Sequence, residues 1–164
     1  MEDLSIDSTD MRLLDLLQED AGRSNLELAE LAHVSPATSQ RRVRRLEQLG
    51  LIERQVAILN PERLAEAIGH GLTAVVEISL AVQNEEAMQA FEAVVQPEPA
   101  VQQLYRLSPG PDYLAIVCVK DMPDYLSLAK RVLTAQANVR NVKAYFSTQR
   151  LKFNTALPIP RPIG

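Results

Sequence analysis

Cysteine and histidine are nearly absent from this chain. Its 164 residues hold one cysteine, Cys118, and two histidines, His33 and His70. A single thiol excludes an intrachain disulfide and points to a reducing compartment. These three residues cannot build a zinc site of the usual thiolate and imidazole type. Neither histidine has a carboxylate or second histidine at ligand or catalytic spacing, so both are expected to be structural or solvated. Cys118 alternates within an apolar run and is expected as a small buried hydrophobe. No apolar stretch approaches the roughly 18 residues that span a bilayer. No glycine-rich phosphate loop occurs. Aromatics make up only 4% of the chain. Tyr105, Tyr113, Tyr125, Tyr145, Phe91 and Phe146 mostly fall at core-type positions, which suits core or interface better than base stacking. The start, Met1-Glu2-Asp3-Leu4, is acidic where a secretory signal is basic, so a cytoplasmic protein is expected. Catalytic residues, metal and cofactor are all expected to be absent.

What remains is the composition of a soluble globular protein, 46% hydrophobic and 23% charged. The length suits one medium domain or two small ones. The formal net charge is −4, which taken whole argues mildly against a phosphate backbone as partner. The distribution argues otherwise. Residues 1–60 hold seven basic and eleven acidic residues, and four of those seven arginines fall in Gln40-Arg41-Arg42-Val43-Arg44-Arg45. An acidic protein can still present one basic face.

The first third reads as three helices. Met11, Leu14 and Leu17 recur at helical spacing, with Asp7 or Ser8 as cap and Asp10 in the first turn. Ser24 and Glu27 have capping-box spacing before a short second helix. After a turn at His33-Val34-Ser35, Ser35 caps a third helix with Pro36 at its first position and Gly50 past its end. Leu51 to Leu59 is β-prone. Asn60-Pro61 breaks the chain and caps a short helix, with a domain boundary near 60–69. Strands are then expected at Thr73–Val82, Val101–Leu107, Tyr113–Lys120 and Val139–Ser147. Helices are expected at Asn84–Val95 and from Pro123. This βαββαβ order is a ferredoxin-like split unit. Both helices lie on one face of its sheet, and the other face calls for a partner, most simply a second copy. The expected class is α+β, with residues 1–60 as one domain, 61–70 as linker and 71–164 as the second domain.

Three short helices with a tight turn fit a helix-turn-helix, whose third helix packs on one side and enters the major groove with the other. Ser39, Val43 and Leu46 would pack inward. Ser35, Pro36, Ala37 and Thr38 sit at the end nearest base edges. Gln40 suits adenine, and Arg41 or Arg44 suits guanine. Arg42 and Arg45 would reach phosphates or structural carboxylates. Arg42 lies near the inward side, so a pair with Glu27 or Glu30 competes with a DNA contact.

An ordered set of segments now resembles the Lrp/AsnC family of feast/famine transcription regulators. The segments are Ile6-Asp7, Leu13-Leu14, Gly22-Arg23, Leu28-Ala29, Val34-Ser35-Pro36, Arg41 to Glu47, Gly50-Leu51-Ile52 and Leu59-Asn60-Pro61. The set continues through Asp112-Tyr113, Asp121-Met122, Tyr125, Val139 and Lys152. The resemblance implies a winged helix-turn-helix followed by a βαββαβ amino-acid-binding domain. It implies dimers joined through the sheets, assembling into tetramers, octamers or larger rings on double-stranded, pseudo-palindromic DNA. It also implies a small amino-acid effector between dimers. By position, the effector site would be lined by Ser108, Pro109, Gly110, Asp112, Tyr145, Phe146 and Ser147. Asp112 would hold the effector's ammonium or merely cap its turn, and turn amides would hold the carboxylate.

The chain departs from the family pattern at this turn. Family members usually carry Gly-x-x-Asp-Tyr, which would put glycine at 109. Here Pro109 and Pro111 flank Gly110, so only Gly110 and Asp112 keep N–H donors. Asn138 replaces a frequent glycine and tolerates left-handed geometry. Two alternatives to the effector-controlled regulator follow. One is an architectural, nucleoid-like DNA-binding protein without a ligand. The other is an enzyme on a dimeric ferredoxin-like barrel, for which the second half supplies no nucleophile, base or phosphate loop.

Overall fold

A computed structural model describes residues 4–69 and 71–160; His70 lies outside the described residues. The chain divides into two compact units. One comprises residues 4–58 together with 152–160, and the other comprises 59–151. The sequence reading kept the tail beyond Leu151 with the second domain, whereas here residues 152–160 group with the first unit. Within the expected linker, Pro61–Ile68 form the short helix that the Asn60-Pro61 start implies.

The first unit contains α1 (Ser8–Glu19), α2 (Asn25–Ala32) and α3 (Pro36–Gln48). Each start is set by a cap within three residues of the helix it opens. Asp7 accepts from the Asp10 N–H, and the Asp10 carboxylate reaches back to the Asp7 N–H. Ser24 and Glu27 form the same reciprocal pair, and Ser35 caps α3 with Pro36 at its first turn. Leu13, Leu28, Ala32 and Leu46 make the buried core, with Leu14, Leu17, Val34, Val43 and Ile52 packed around it. Leu13, outside the Met11–Leu14–Leu17 stripe, is the α1 residue that disappears entirely from solvent.

The tight turn after α2 turns on His33, the only non-glycine residue with positive φ among the described residues (φ 57°, ψ 44°). That left-handed cap aims α3 away from α2, at a steric cost glycine avoids. His33→Gly is expected to raise the stability of this unit by about 1 kcal/mol. A higher urea midpoint with unchanged slope would show it.

The β-prone run Leu51–Leu59 forms no strand. It is coil, with Val56, Ile58 and Leu59 all well exposed. Among the described residues, the first unit holds no strand to pair with it, and a strand without a partner leaves its backbone unpaired. Among the described residues, the wing implied by the resemblance is not formed as a β-hairpin.

The second unit opens with α4 (Pro61–Ile68), capped by Asn60 and closed by Gly69. Then follow β1 (Leu72–Leu80), α5 (Glu85–Val95), β2 (Val101–Arg106), β3 (Tyr113–Val119), α6 (Met122–Leu128) and β4 (Val139–Phe146). A π-helical stretch, Ala129–Thr134, extends α6. The sheet order is β2-β3-β1-β4, all antiparallel. Strict alternation buries Ala74, Val76, Ile78 and Leu80 of β1, and Tyr113, Ala115, Val117 and Val119 of β3. They pack under Phe91 and Val95 of α5 and Tyr125, Leu128 and Val132 of the α6 arm.

Among the described residues of the second unit, α5 and the α6 arm both pack on this one face of the sheet and leave the other uncovered. Cys118 lies there, half-buried rather than buried, with its Sγ 3.5 Å from Thr73 Oγ1. Tyr105 and Tyr145 are 51% and 52% exposed. They are not core residues of the single chain, unlike Tyr113, Tyr125 and Phe91. Asn138 does not use left-handed geometry. Its side-chain amide pairs with both backbone groups of Val82, at 2.8 and 2.9 Å, and prolongs the β1–β4 ladder.

Candidate nucleic-acid interface and effector site

Helix α3 sorts its side chains by exposure. Ser39 and Leu46 are buried, while Ser35, Pro36, Ala37, Gln40, Arg41 and Arg44 are exposed and Thr38 is half-buried. Ser35 and Thr38 share a hydroxyl–hydroxyl hydrogen bond at 2.9 Å. The Asn25 side chain donates to the Pro36 carbonyl at 2.9 Å, tying the start of α3 to the start of α2. A small, low-profile N-terminus thus projects from a rigid base, as a helix entering the major groove requires.

The four arginines of α3 divide into two pairs. Arg41 and Arg44 form no ion pair among the described residues. Arg42 and Arg45 turn back toward α1. Arg42 Nη1 lies 2.8 Å from Asp7 and 2.9 Å from Asp10, and Arg45 Nη1 lies 3.3 Å from Asp10. Arg45 Nη2 also donates to the Ser5 carbonyl at 2.9 Å. The Asp10 side chain is only 3% exposed, so its charge is held by this cluster rather than by water. The Asp10 N–H and the Arg42 guanidinium hold the Asp7 carboxyl below the usual carboxylate range.

The partner of Arg42 is therefore neither Glu27 nor Glu30. Glu27 is occupied with the Ser24 N–H, and it is the start of α1 that lies against α3. Sequence reasoning missed Asp7 and Asp10 as partners of these arginines. The available signal was two matched i, i+3 pairs of opposite charge, Asp7/Asp10 and Arg42/Arg45.

The residues expected at the effector site fall into two groups. The turn 108–112 joins β2 to β3, with a cis Ser108–Pro109 bond and Gly110 at φ +125°, a conformation that favours glycine. The Asp112 carboxylate accepts from the Leu80 N–H at 2.6 Å and faces the Gln83 amide at 3.4 Å. It thus caps the far end of β1. Tyr145, Phe146 and Ser147 lie at the other end of β1, where Ser147 N–H donates to the Thr73 carbonyl. Seven residue steps of strand separate Thr73 from Leu80, or about 23 Å. One chain does not bring the two groups together. Each has its own neighbours: Tyr145 Oη is 3.5 Å from Glu77, and Phe146 stacks edge-on to Tyr125.

Beneath the turn lies a charged cluster that sequence reading did not isolate. Arg106 bonds Glu85 and Glu92, and Tyr113 donates to Glu92 at 2.8 Å. Burial first, and the Glu92 carboxylate second, push the Tyr113 hydroxyl well above its ordinary value. The cluster braces β2 and β3 against α5.

A helix-turn-helix followed by a four-stranded βαββαβ unit defines a two-part DNA-binding regulator. The family model for the AsnC-type helix-turn-helix domain matches residues 6–47, and that for the Lrp/AsnC ligand binding domain matches residues 73–157. The glutamate uptake regulatory protein of Zymomonas mobilis is 36% identical over 155 residues, 94% of this chain and 92% of that protein. The DNA-binding transcriptional activator DecR of Escherichia coli is 35% identical, covering 94% of this chain and 99% of that one. A transcriptional regulator from Neisseria meningitidis, solved as its L-Met complex, superposes with a TM-score of 0.83 at 29% identity, covering 94% of this chain and 97% of that one. This chain belongs to the Lrp/AsnC family of DNA-binding transcriptional regulators. Among the described residues, no helix is long and apolar enough to cross a membrane.

Proposed function

We propose that this protein is a non-enzymatic cytoplasmic regulator that reads a pseudo-palindromic operator as a dimer. Gln40, Arg41 and Arg44 face the bases and their flanking phosphates, with Ser35, Pro36, Ala37 and Thr38 making the close approach. Arg42 and Arg45 act from behind by fixing α3 on α1. The observation that carries this reading is the division of the α3 arginines, two anchored by Asp7 and Asp10 and two without an ion-pair partner. An interface built for phosphate needs free cations on a rigid base.

Dimers form through the helix-free face of the sheet, where Val75, Leu114, Ile116, Tyr105 and Tyr145 lie without a helix above them. A small amino acid, as in the Neisseria L-Met complex, binds where copies meet. The separation along β1, about 17–23 Å at the rise of an extended strand, between the Leu80 end held by Asp112 and the Thr73–Val75 end beside Tyr145–Ser147 supports this placement, since a neighbouring copy can bring one group to the other. With the Asp112 carboxylate already accepting from Leu80, recognition of the effector leans on the Gly110 and Asp112 N–H groups and on groups from the second copy.

A thermal-shift screen with the twenty amino acids, followed by light scattering on each hit, tests the effector. At a hundredfold excess over Kd a ligand stabilises the native state by about 2.7 kcal/mol, a rise of several degrees. One hit that also changes the assembly mass is the expected result. A flat screen from well-folded protein overturns it and leaves the ligand-free, architectural reading.

A further inference from the structure

The first unit receives the chain twice, once at its N-terminal residues and again at 152–160. The second visit is held through the backbone. Gln18 on α1 accepts from the Leu157 N–H at 2.6 Å and donates to the Leu157 carbonyl at 3.1 Å. One side-chain amide thereby satisfies both backbone groups of a single residue, as one strand does for another. Asn138 treats Val82 in the same way inside the sheet. The Leu157 side chain itself is 74% exposed, so the grip is on the main chain.

Beyond it, Ile159 and Pro160 line a groove of about 550 Å³ along α1, with Met11, Arg12, Asp15 and Leu16 on the other side. Ile159 is half-buried there, flanked by Pro158 and Pro160. Proline fixes φ and holds the residue before it extended, so Leu157-Pro158-Ile159-Pro160 is largely straightened before it docks. That lowers the ordering cost of the contact. None of Gln40, Arg41 or Arg44 lines the groove. The segment leaves the reading face free.

We propose that α1 is a docking surface for the chain's own C-terminal segment, residues 152–160, and that this strap is a second tether on the DNA-reading unit. The proposal rests on the dimeric reading given above. With one covalent crossing, near residue 58, each helix-turn-helix would search widely for its half-site. With a second crossing, near residue 152, the search is narrower and the second half-site is met at a higher effective concentration. The strap strengthens paired binding without touching DNA.

The test uses the full-length protein, Gln18→Ala, and a chain ending at Leu151. Alanine preserves α1, and a thermal melt confirms that each variant folds. Hydrogen exchange at the Leu157 amide is expected to be slowed in the parent and at least about tenfold faster in Gln18→Ala; equal rates overturn the docking. Affinity is read on a duplex selected from random sequence by the parent protein, and on the same duplex with one half scrambled. Loss of the strap is expected to weaken binding to the paired site about tenfold and to leave the single half-site within twofold. Equal losses on both duplexes overturn the tether, because the strap would then act on the reading unit itself. If the parent binds both duplexes equally, the dimeric reading and the tether's role in DNA binding both fall, while the exchange result still decides the docking.

Discussion

Arg41→Ala and Arg44→Ala each weaken operator binding by at least about tenfold, and the pair together by far more. A bidentate arginine–guanine contact contributes about 1–3 kcal/mol to discrimination, and a dimer loses it at two half-sites. Salt dependence separates the two roles these arginines can take. A residue that neutralises phosphate lowers the slope of log K against log salt by about 0.9 for each contact removed. A residue that reads a base leaves much of the slope intact and relaxes preference at one position. Titrating each variant at three salt concentrations on the selected duplex and on scrambled DNA measures both. Parent-like affinity and slope in both variants would show that α3 is not the reading helix.

Asp10→Ala produces the largest loss of stability expected from a single substitution in the first unit, about 2–4 kcal/mol. It removes a buried carboxylate from between two guanidinium groups and leaves their charges without their central counter-ion. It also breaks half of the capping box on α1. The predicted consequence for function is a fall in specificity rather than in bulk affinity. Arg42 and Arg45 become free to reach any phosphate while α3 loses its seat, so binding to scrambled DNA rises relative to the selected site. A double-mutant cycle with Arg42→Ala settles the role of Arg42. Coupling of about 1–3 kcal/mol in chemical denaturation marks it as an anchor of α3. No coupling, with a lowered salt slope, marks it as a DNA contact and sinks the division of the arginines proposed above.

The two arginine pairs show how far the sequence could be read. Four arginines in six residues announced a basic helix, and the Ser35-Pro36 start and Gly50 stop bounded it. Which arginines face outward depended on Asp7 and Asp10, 35 and 32 residues away along the chain from Arg42. Helical periodicity says which side a residue is on, but not what stands opposite. Asp112 is a similar case. Its place in the turn was legible, and its bond to Leu80, across the sheet, was not.

Leu51–Leu59 shows the converse. Its β-prone composition was legible, yet a strand exists only where another strand pairs with it, and among the described residues of the first unit none does. Cys118, Tyr105 and Tyr145 sat at alternating positions that suit burial. They lie instead on the sheet face that the single chain leaves without a helix.

The sequence by itself determined whatever is settled within three or four residues. That includes the caps at Ser24, Ser35 and Asn60, the periods of the helices, and the alternation of β1 and β3. From these the helix-turn-helix and the βαββαβ order follow, because hydrogen bonds at a helix start and side-chain alternation on a strand are local. Only the tertiary structure decided which charges cancel, which end of the sheet each candidate effector residue occupies, and that the C-terminal segment returns to α1. Those outcomes rest on groups far apart in the chain, and no local rule specifies which distant partner a side chain will meet.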